Sequence, residues 1–302
     1  LDNTSKKAST ILSEVMFSFN QFDAESDSFH IIDRFQYSQK RDLLIIEHYK
    51  NDAKHYGALL LPESYDDEKT YATFVWTNGL NQKKPSVVLT HRDINNVFSE
   101  FRDHFVVVPS FRGQALVYKN KRYCSDGFFG DAFDGATNDA LRLLDLVRNE
   151  FEGVDEGNIT VCGVSRGGTV SLLMGIRDTS IARIVSIAGP SDFYSMRVRY
   201  RYMGQYNYMF LSKTRNVEDL RMKILRSSPV HFIEHFPNKI LLVHGRKDAM
   251  VPIENVTSLE EVLAGRDNFN LEIHGRGHEY HDWQRVVAWI RQDLDNTSLL
   301  GL

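Results

Sequence analysis

Gly163-Val164-Ser165-Arg166-Gly167-Gly168 is the stretch that decides how this chain folds. It follows an apolar run (Ile159, Val161, Cys162) and precedes residues at helical spacing (Val170, Leu172, Leu173, Met174). That order reads as strand, tight turn and helix. In a Gly-x-Ser-x-Gly turn the serine occupies a strained elbow, and the flanking glycines remove Cβ atoms that would block the bend and the close strand–helix approach. The hydroxyl is then exposed above the sheet, where it can attack a carbonyl. The pattern alone is weak: with Gly and Ser each near roughly 7% of residues, chance supplies it in about one chain in ten of this length. A serine that only caps the helix would give the same local structure, but it predicts no partner residues downstream.

Such partners are present. Lys239-Ile240-Leu241-Leu242-Val243-His244-Gly245 reads as a buried strand running into Arg246-Lys247-Asp248. Phe269-Asn270-Leu271-Glu272-Ile273 reads as another strand, followed by His274-Gly275-Arg276-Gly277-His278, after which Trp283, Val286, Val287 and Ile290 recur at helical spacing. Ser165, Asp248 and His278 therefore each stand on a loop after a strand, in the order nucleophile, acid, base. A serine hydroxyl needs a general base at neutral pH, His278, and the base needs a carboxylate, Asp248, to fix its tautomer. The developing oxyanion needs fixed N–H donors. The elbow offers the backbone N–H of Arg166; the second is expected from Thr77-Asn78-Gly79-Leu80, after the strand Tyr71–Trp76, as the N–H of Gly79 or of Leu80.

These motifs, with Ser228-Pro229 ahead of a strand, His244-Gly245-x-x-Asp248-x-x-Val251-Pro252, Gly277-His278 and the Arg-Gly segment Pro109-Ser110-Phe111-Arg112-Gly113, resemble the catalytic domain of the prolyl oligopeptidase (S9) group of α/β-hydrolases. The resemblance covers roughly residues 43 to 294. It implies Ser165, Asp248 and His278 as nucleophile, acid and base. Many relatives carry a His-Gly-Gly or Tyr-Gly-Gly run at the oxyanion loop, where this chain has Thr77-Asn78-Gly79. Full-length oligopeptidases also carry a β-propeller; only about forty residues precede the first strand-like run, too few for its four-stranded blades, so none is expected.

Composition bounds the rest. With 302 residues, 42% hydrophobic and 25% charged, the chain can bury a full core as one globular unit. A net charge of −4, with signs dispersed and no phosphate-cradling or dinucleotide glycine motif, argues against nucleic acid or nucleotide partners. Apolar runs stop far short of the roughly twenty residues that cross a bilayer, and no signal peptide opens the chain, so a soluble protein is expected. Because Leu1 stands first, the compartment is left open, cytoplasmic or exported with a leader removed. Cys124 and Cys162 read as free thiols. No cofactor is expected. A homo-oligomer is left open.

The expected architecture is α/β: the α/β-hydrolase fold, with a mostly parallel eight-stranded sheet flanked by helices, a cap-like insertion and an extra N-terminal helix. Residues 1–42 read as a polar tail and an amphipathic helix (Ala8, Ile11, Leu12, Val15, Met16, Phe19, Phe22) packed on the main domain; 43–302 form the catalytic domain, with the insertion at 190–227. Leu43–Tyr49 and Tyr56–Leu61 read as leading antiparallel strands at the sheet's edge. The insertion interleaves aromatics with arginines (Tyr194, Arg197, Tyr200 among them). It reads either as a wall for an aromatic or acidic substrate group or as a cap that packs its rings and solvates its arginines. A second wall is expected from the loop 114–133, with Tyr118 and Phe128. His274, His278, His281 and Asp282 have near-zinc spacing, but Gly275 and Gly277 argue against the helix such spacing needs, and no metal is expected. The substrate is expected to be a small ester or a short peptide.

Overall fold

The structure is a computed structural model that describes residues 8–81, 83–194, 204, 207–278 and 282–298. Its centre is a nine-stranded sheet of β1 (Ser28–Ser38), β2 (Arg41–Lys50), β3 (Ala53–Leu60), β4 (Tyr71–Thr77), β6 (Phe105–Ser110), β9 (Val154–Val164), β10 (Arg183–Ile187), β11 (Lys239–Gly245) and β12 (Phe269–His274). The order across the sheet is β1-β2-β3-β6-β4-β9-β10-β11-β12. The strands from β6 to β12 in that order are mutually parallel, and β1, β2 and β3 form an antiparallel meander at one end. A second sheet of three short strands, β5 (Ser86–Val88), β7 (Ala115–Tyr118) and β8 (Lys121–Cys124), lies beside it. The helices among the described residues are α1 (Ala8–Asn20), α2 (Arg92–Glu100), α3 (Asp134–Glu150), α4 (Arg166–Arg177), α5 (Val217–Arg226), α6 (Glu254–Leu263) and α7 (Trp283–Ser298).

Side chains alternate across a strand, so each central strand feeds two cores. Leu44, Ile46, Val75 and Val161 face one cluster, which α1, α3, α4, α5 and α6 cover; Leu43, Ile45, Phe74, Trp76 and Cys162 face the other, covered by α2 and α7. This is the expected α/β sandwich with two corrections. The sheet has nine strands rather than eight, because β1 pairs along β2 within the 1–42 segment read as a polar tail and helix. It is therefore β1, and not the Leu43 strand, that forms the edge. Part of the loop read as a substrate wall is instead the β7–β8 hairpin, whose Tyr118 is buried and meets Phe35 of β1 edge-on at 5.0 Å. Tyr118 is thus packed into the core against β1.

The stripe of α1 buries Ile11, Val15 and Phe19. Phe19 packs edge-on against Phe232 and lies 4.2 Å below the Arg177 guanidinium carbon, with that of Arg226 at 5.6 Å. Asp134 bridges the two arginines, 2.6 Å from Arg177 and 2.9 Å from Arg226, while Arg226 also donates to Ser18 Oγ at 3.0 Å. The N-terminal helix is thereby tied to α5, inside the segment between β10 and β11. Burying a phenylalanine of this kind contributes about 2–3 kcal/mol. Both cysteines are free, and no helix among the described residues is long and apolar enough to cross a membrane.

Candidate active site

Because β4, β9, β11 and β12 are parallel, their carboxyl ends share one edge of the sheet, and the loops that follow carry Gly79, Ser165, Asp248 and His278. The chain leaves β4 toward β6 on one side and returns to β9 on the other; crevices that hold ligands form outside the strand ends at such a switch point.

At the elbow, Ser165 has φ 57° and ψ −121°, a conformation a side-chain-bearing residue rarely adopts. The turn is over-determined by its surroundings: Ser165 N–H donates to the Ile187 carbonyl at 2.7 Å, and α4 begins at the next residue. A Cβ at Gly163 would collide with the Thr77 hydroxyl and the backbone of Gly167, and one at Gly167 would fall on the Thr77 carbonyl oxygen. Only glycine permits β4, the elbow and α4 to meet this closely. Ser165 Oγ makes no capping bond to α4, which removes the helix-cap explanation of the serine.

The Asp248 side chain is buried, with both carboxylate oxygens engaged. Oδ1 accepts the N–H groups of Met250 (2.7 Å) and Val251 (2.8 Å), and Oδ2 lies 2.7 Å from His278 Nδ1. Burial pushes its pKa up, but the bonds from His278 and the Val251 and Met250 backbone outweigh that and hold the carboxyl below its usual range. The carboxylate can therefore hold a proton on Nδ1 and leave Nε2 free to act as base. His244 lies beneath, its Nε2 3.0 Å from the Val251 carbonyl, which braces the loop carrying Asp248.

The loop after β4 is equally constrained. Trp76 Nε1 donates to Asn78 Oδ1 at 3.1 Å, and Thr77 Oγ1 is 2.8 Å from both the Gly167 carbonyl and Ser171 Oγ. Gly79 lies close to Ser165: a Cβ built on it would lie 3.8 Å from Ser165 Cβ. The Arg166 side chain folds back under this loop, a contact that no sequence motif announces. The Arg-Gly segment supports it from the other side. Arg112 grips Asp139 through both Nε and Nη2 (3.0 and 2.8 Å) and Asp131 through Nη1 (2.8 Å). That fixes Phe111 and Gln114, which touch Arg166. The contact of Gln114 and Phe111 with Arg166 escaped the sequence reading because it joins residues 52 or more positions apart.

The residues expected at the substrate walls divide. Phe128 is half-buried at the seam between the 114–133 loop and the insertion, 5.1 Å from the Tyr208 ring, with the Lys213 and Lys223 ammonium groups 5.5 and 5.6 Å from its centroid. Tyr194 is exposed beside His231. Arg197, Tyr200 and His281 lie outside the described residues. Phe193 and Phe210 turn inward onto Phe133, as in the packed-cap alternative. Among the described residues no cluster of three or more His, Cys, Asp or Glu could hold a metal.

A family model, BD-FAE, matches residues 108–263, which include the elbow and the Asp248 loop. Among solved structures, an acetyl xylan esterase from Paenibacillus sp. R4 superposes with a TM-score of 0.66 at 14% identity, covering 96% of this chain and 95% of that one. Acetyl xylan esterase 1 from Thermoanaerobacterium sp. JW/SL YS485 does so at 0.63 and 14%, covering 93% and 91%. A putative dipeptidyl aminopeptidase IV from Bacteroides ovatus also matches at 0.63 and 14%, but 86% of this chain spans only 36% of that one. At such identities the likeness is one of fold, the α/β-hydrolase fold. No curated protein sequence matches the chain.

Proposed function

This chain belongs to the BD-FAE family, and from that membership and the geometry at the sheet edge we propose that it is a serine hydrolase that cleaves carboxylic esters through an acyl-enzyme. The observation that carries the reading is the 2.7 Å bond between buried Asp248 and His278 at the edge where Ser165 stands strained and uncapped. Ser165 Oγ attacks the ester carbonyl as His278 Nε2 takes its proton, and the N–H groups of Arg166 and of Gly79 or Leu80 receive the oxyanion. His278 then protonates the departing alcohol, and water repeats the sequence to free the acid.

A short acyl group on a sugar hydroxyl is the favoured ester, because the acetyl xylan esterases correspond to this chain over nearly their whole length. Peptide cleavage is the second reading, supported by likeness to peptidase catalytic domains. The test is labelling with a fluorophosphonate. The unaltered chain reacts and Ser165→Ala does not, with kcat on p-nitrophenyl acetate falling by roughly 10⁵ or more. Full-rate labelling of Ser165→Ala refutes the assignment. Turnover of an aminoacyl-p-nitroanilide above that of every p-nitrophenyl ester favours the peptidase reading, and product ester formed from an added alcohol reveals acyl transfer.

A further inference from the structure

Arg166 combines two properties that the elbow chemistry alone does not require. Its side chain is 2% exposed, and among the described residues it has no carboxylate partner. Burial lowers its pKa to about 9, so at neutral pH it is a buried cation held by neutral acceptors. Those acceptors are specific: Nε donates to the Asn78 carbonyl at 3.1 Å, and Nη2 to the Gly79 carbonyl at 2.9 Å and to Gln114 Oε1 at 3.1 Å. The guanidinium carbon lies 4.6 Å from the centroid of the Phe111 ring. A charge taken out of water without a counter-ion costs stability, so its placement calls for a return elsewhere.

The two backbone acceptors identify that return. The Asn78 carbonyl belongs to the same peptide unit as the Gly79 N–H, and the Gly79 carbonyl to the same unit as the Leu80 N–H. In a trans peptide the N–H points opposite to its carbonyl, and no cis bond occurs among the described residues. With both carbonyls turned to the guanidinium, both N–H groups point away from it. Neither has a hydrogen-bond partner among the described residues. A cation on the carbonyl oxygen also polarises the unit and strengthens its N–H as a donor.

We propose that the Arg166 side chain is the positioning residue of the oxyanion hole, gripping the carbonyls of two successive peptide units so that the Gly79 and Leu80 N–H groups face the oxygen on which charge develops. One residue then serves both halves of the hole, its own backbone N–H forming one and its guanidinium orienting the other. This rests on the reading of Ser165 as nucleophile. Its effect falls on the tetrahedral state, where the charge appears, and not on ground-state binding.

The test compares Arg166→Met with the unaltered chain in p-nitrophenyl acetate kinetics, affinity for a boronic acid that forms a tetrahedral adduct, and thermal unfolding. The expected result is a roughly 10²-fold to 10³-fold fall in kcat with KM within about threefold, boronate affinity falling in parallel, and an unmoved acid limb of the pH–rate profile. A folded Arg166→Met that keeps kcat or boronate affinity within about threefold overturns the proposal, as does a loss confined to KM. If Arg166→Met does not fold, Gln114→Met decides: removing one of the three acceptors lowers kcat by roughly tenfold, and an unchanged kcat overturns the proposal. Fluorophosphonate labelling of the unaltered chain is measured first. Failure there removes the nucleophile itself, whereas labelling with an undiminished Arg166→Met removes only the positioning role.

Discussion

Replacing Asp248 by asparagine changes one atom, and the surrounding backbone dictates which one. Oδ1 accepts two N–H groups, from Met250 and Val251, at 2.7 and 2.8 Å. An amide nitrogen there would face two donors, so the amide oxygen must take that place and Nδ2 must take the place of Oδ2, 2.7 Å from His278 Nδ1. Nδ1 is then forced to accept, and the imidazole proton moves to Nε2, the nitrogen that has to remove the proton of Ser165. The base is lost with the fold intact, because every backbone bond of the loop survives. Wrong-tautomer substitutions of this kind cost roughly 10⁴ in kcat, or about 5 kcal/mol of transition-state stabilisation. The assay is steady-state hydrolysis of p-nitrophenyl acetate by Asp248→Asn with thermal unfolding alongside. A fall of three to four decades with an unfolding midpoint within a few degrees of the unaltered chain is expected. Retention of a tenth or more of kcat/KM would refute both the amide argument and the role of Asp248.

Two further outcomes concern stability. Asp134→Ala strips the carboxylate from Arg177, whose side chain is 1% exposed, and from Arg226; an orphaned buried charge of this kind should cost about 3 kcal/mol, read from denaturant midpoints, and a loss below 1 kcal/mol would show that the pair is dispensable. His48 is buried, and that burial, with His55 beside it, lowers its pKa to about 4. The unfolded chain therefore takes up the extra proton between about pH 6.5 and 4, and stability falls as the pH drops through that window, by about 2 kcal/mol between pH 7 and 5. His48→Gln should lack that share of the decline, and an unchanged pH slope would exclude it.

The elbow, the acid loop and the histidine loop could be read because each is a short pattern beside its own strand, and because parallel strands bring their carboxyl ends together whatever the sequence separation. β1 could not. Its residues from His30 to Tyr37 mix apolar and charged side chains, since an edge strand buries little, and its register is set by β2. The β7–β8 hairpin turns at Lys119-Asn120, with Lys119 at φ 51°, and lacks the glycine that marks such turns. The burial of Tyr118 was illegible for the same reason: the ring it meets, Phe35, stands on the unseen β1. The grip of Arg166 on the loop after β4 spans 88 residues and involves carbonyl oxygens, which every residue has and no sequence pattern marks.

The clasp of Phe19 and Ser18 against Arg177 and Arg226 gives protein engineers a remote handle. Ser18 and Arg226 are separated by 208 positions, and neither touches Asp248, Ser165 or His278. Substitutions at the end of α1 act on Arg226 at the end of α5, through contacts that include none of those three residues. Libraries randomised at positions 18 and 19 can therefore vary how α5 is held while the loops after β4, β9, β11 and β12 keep their native residues, which separates the search for a new substrate from the risk of losing the chemistry.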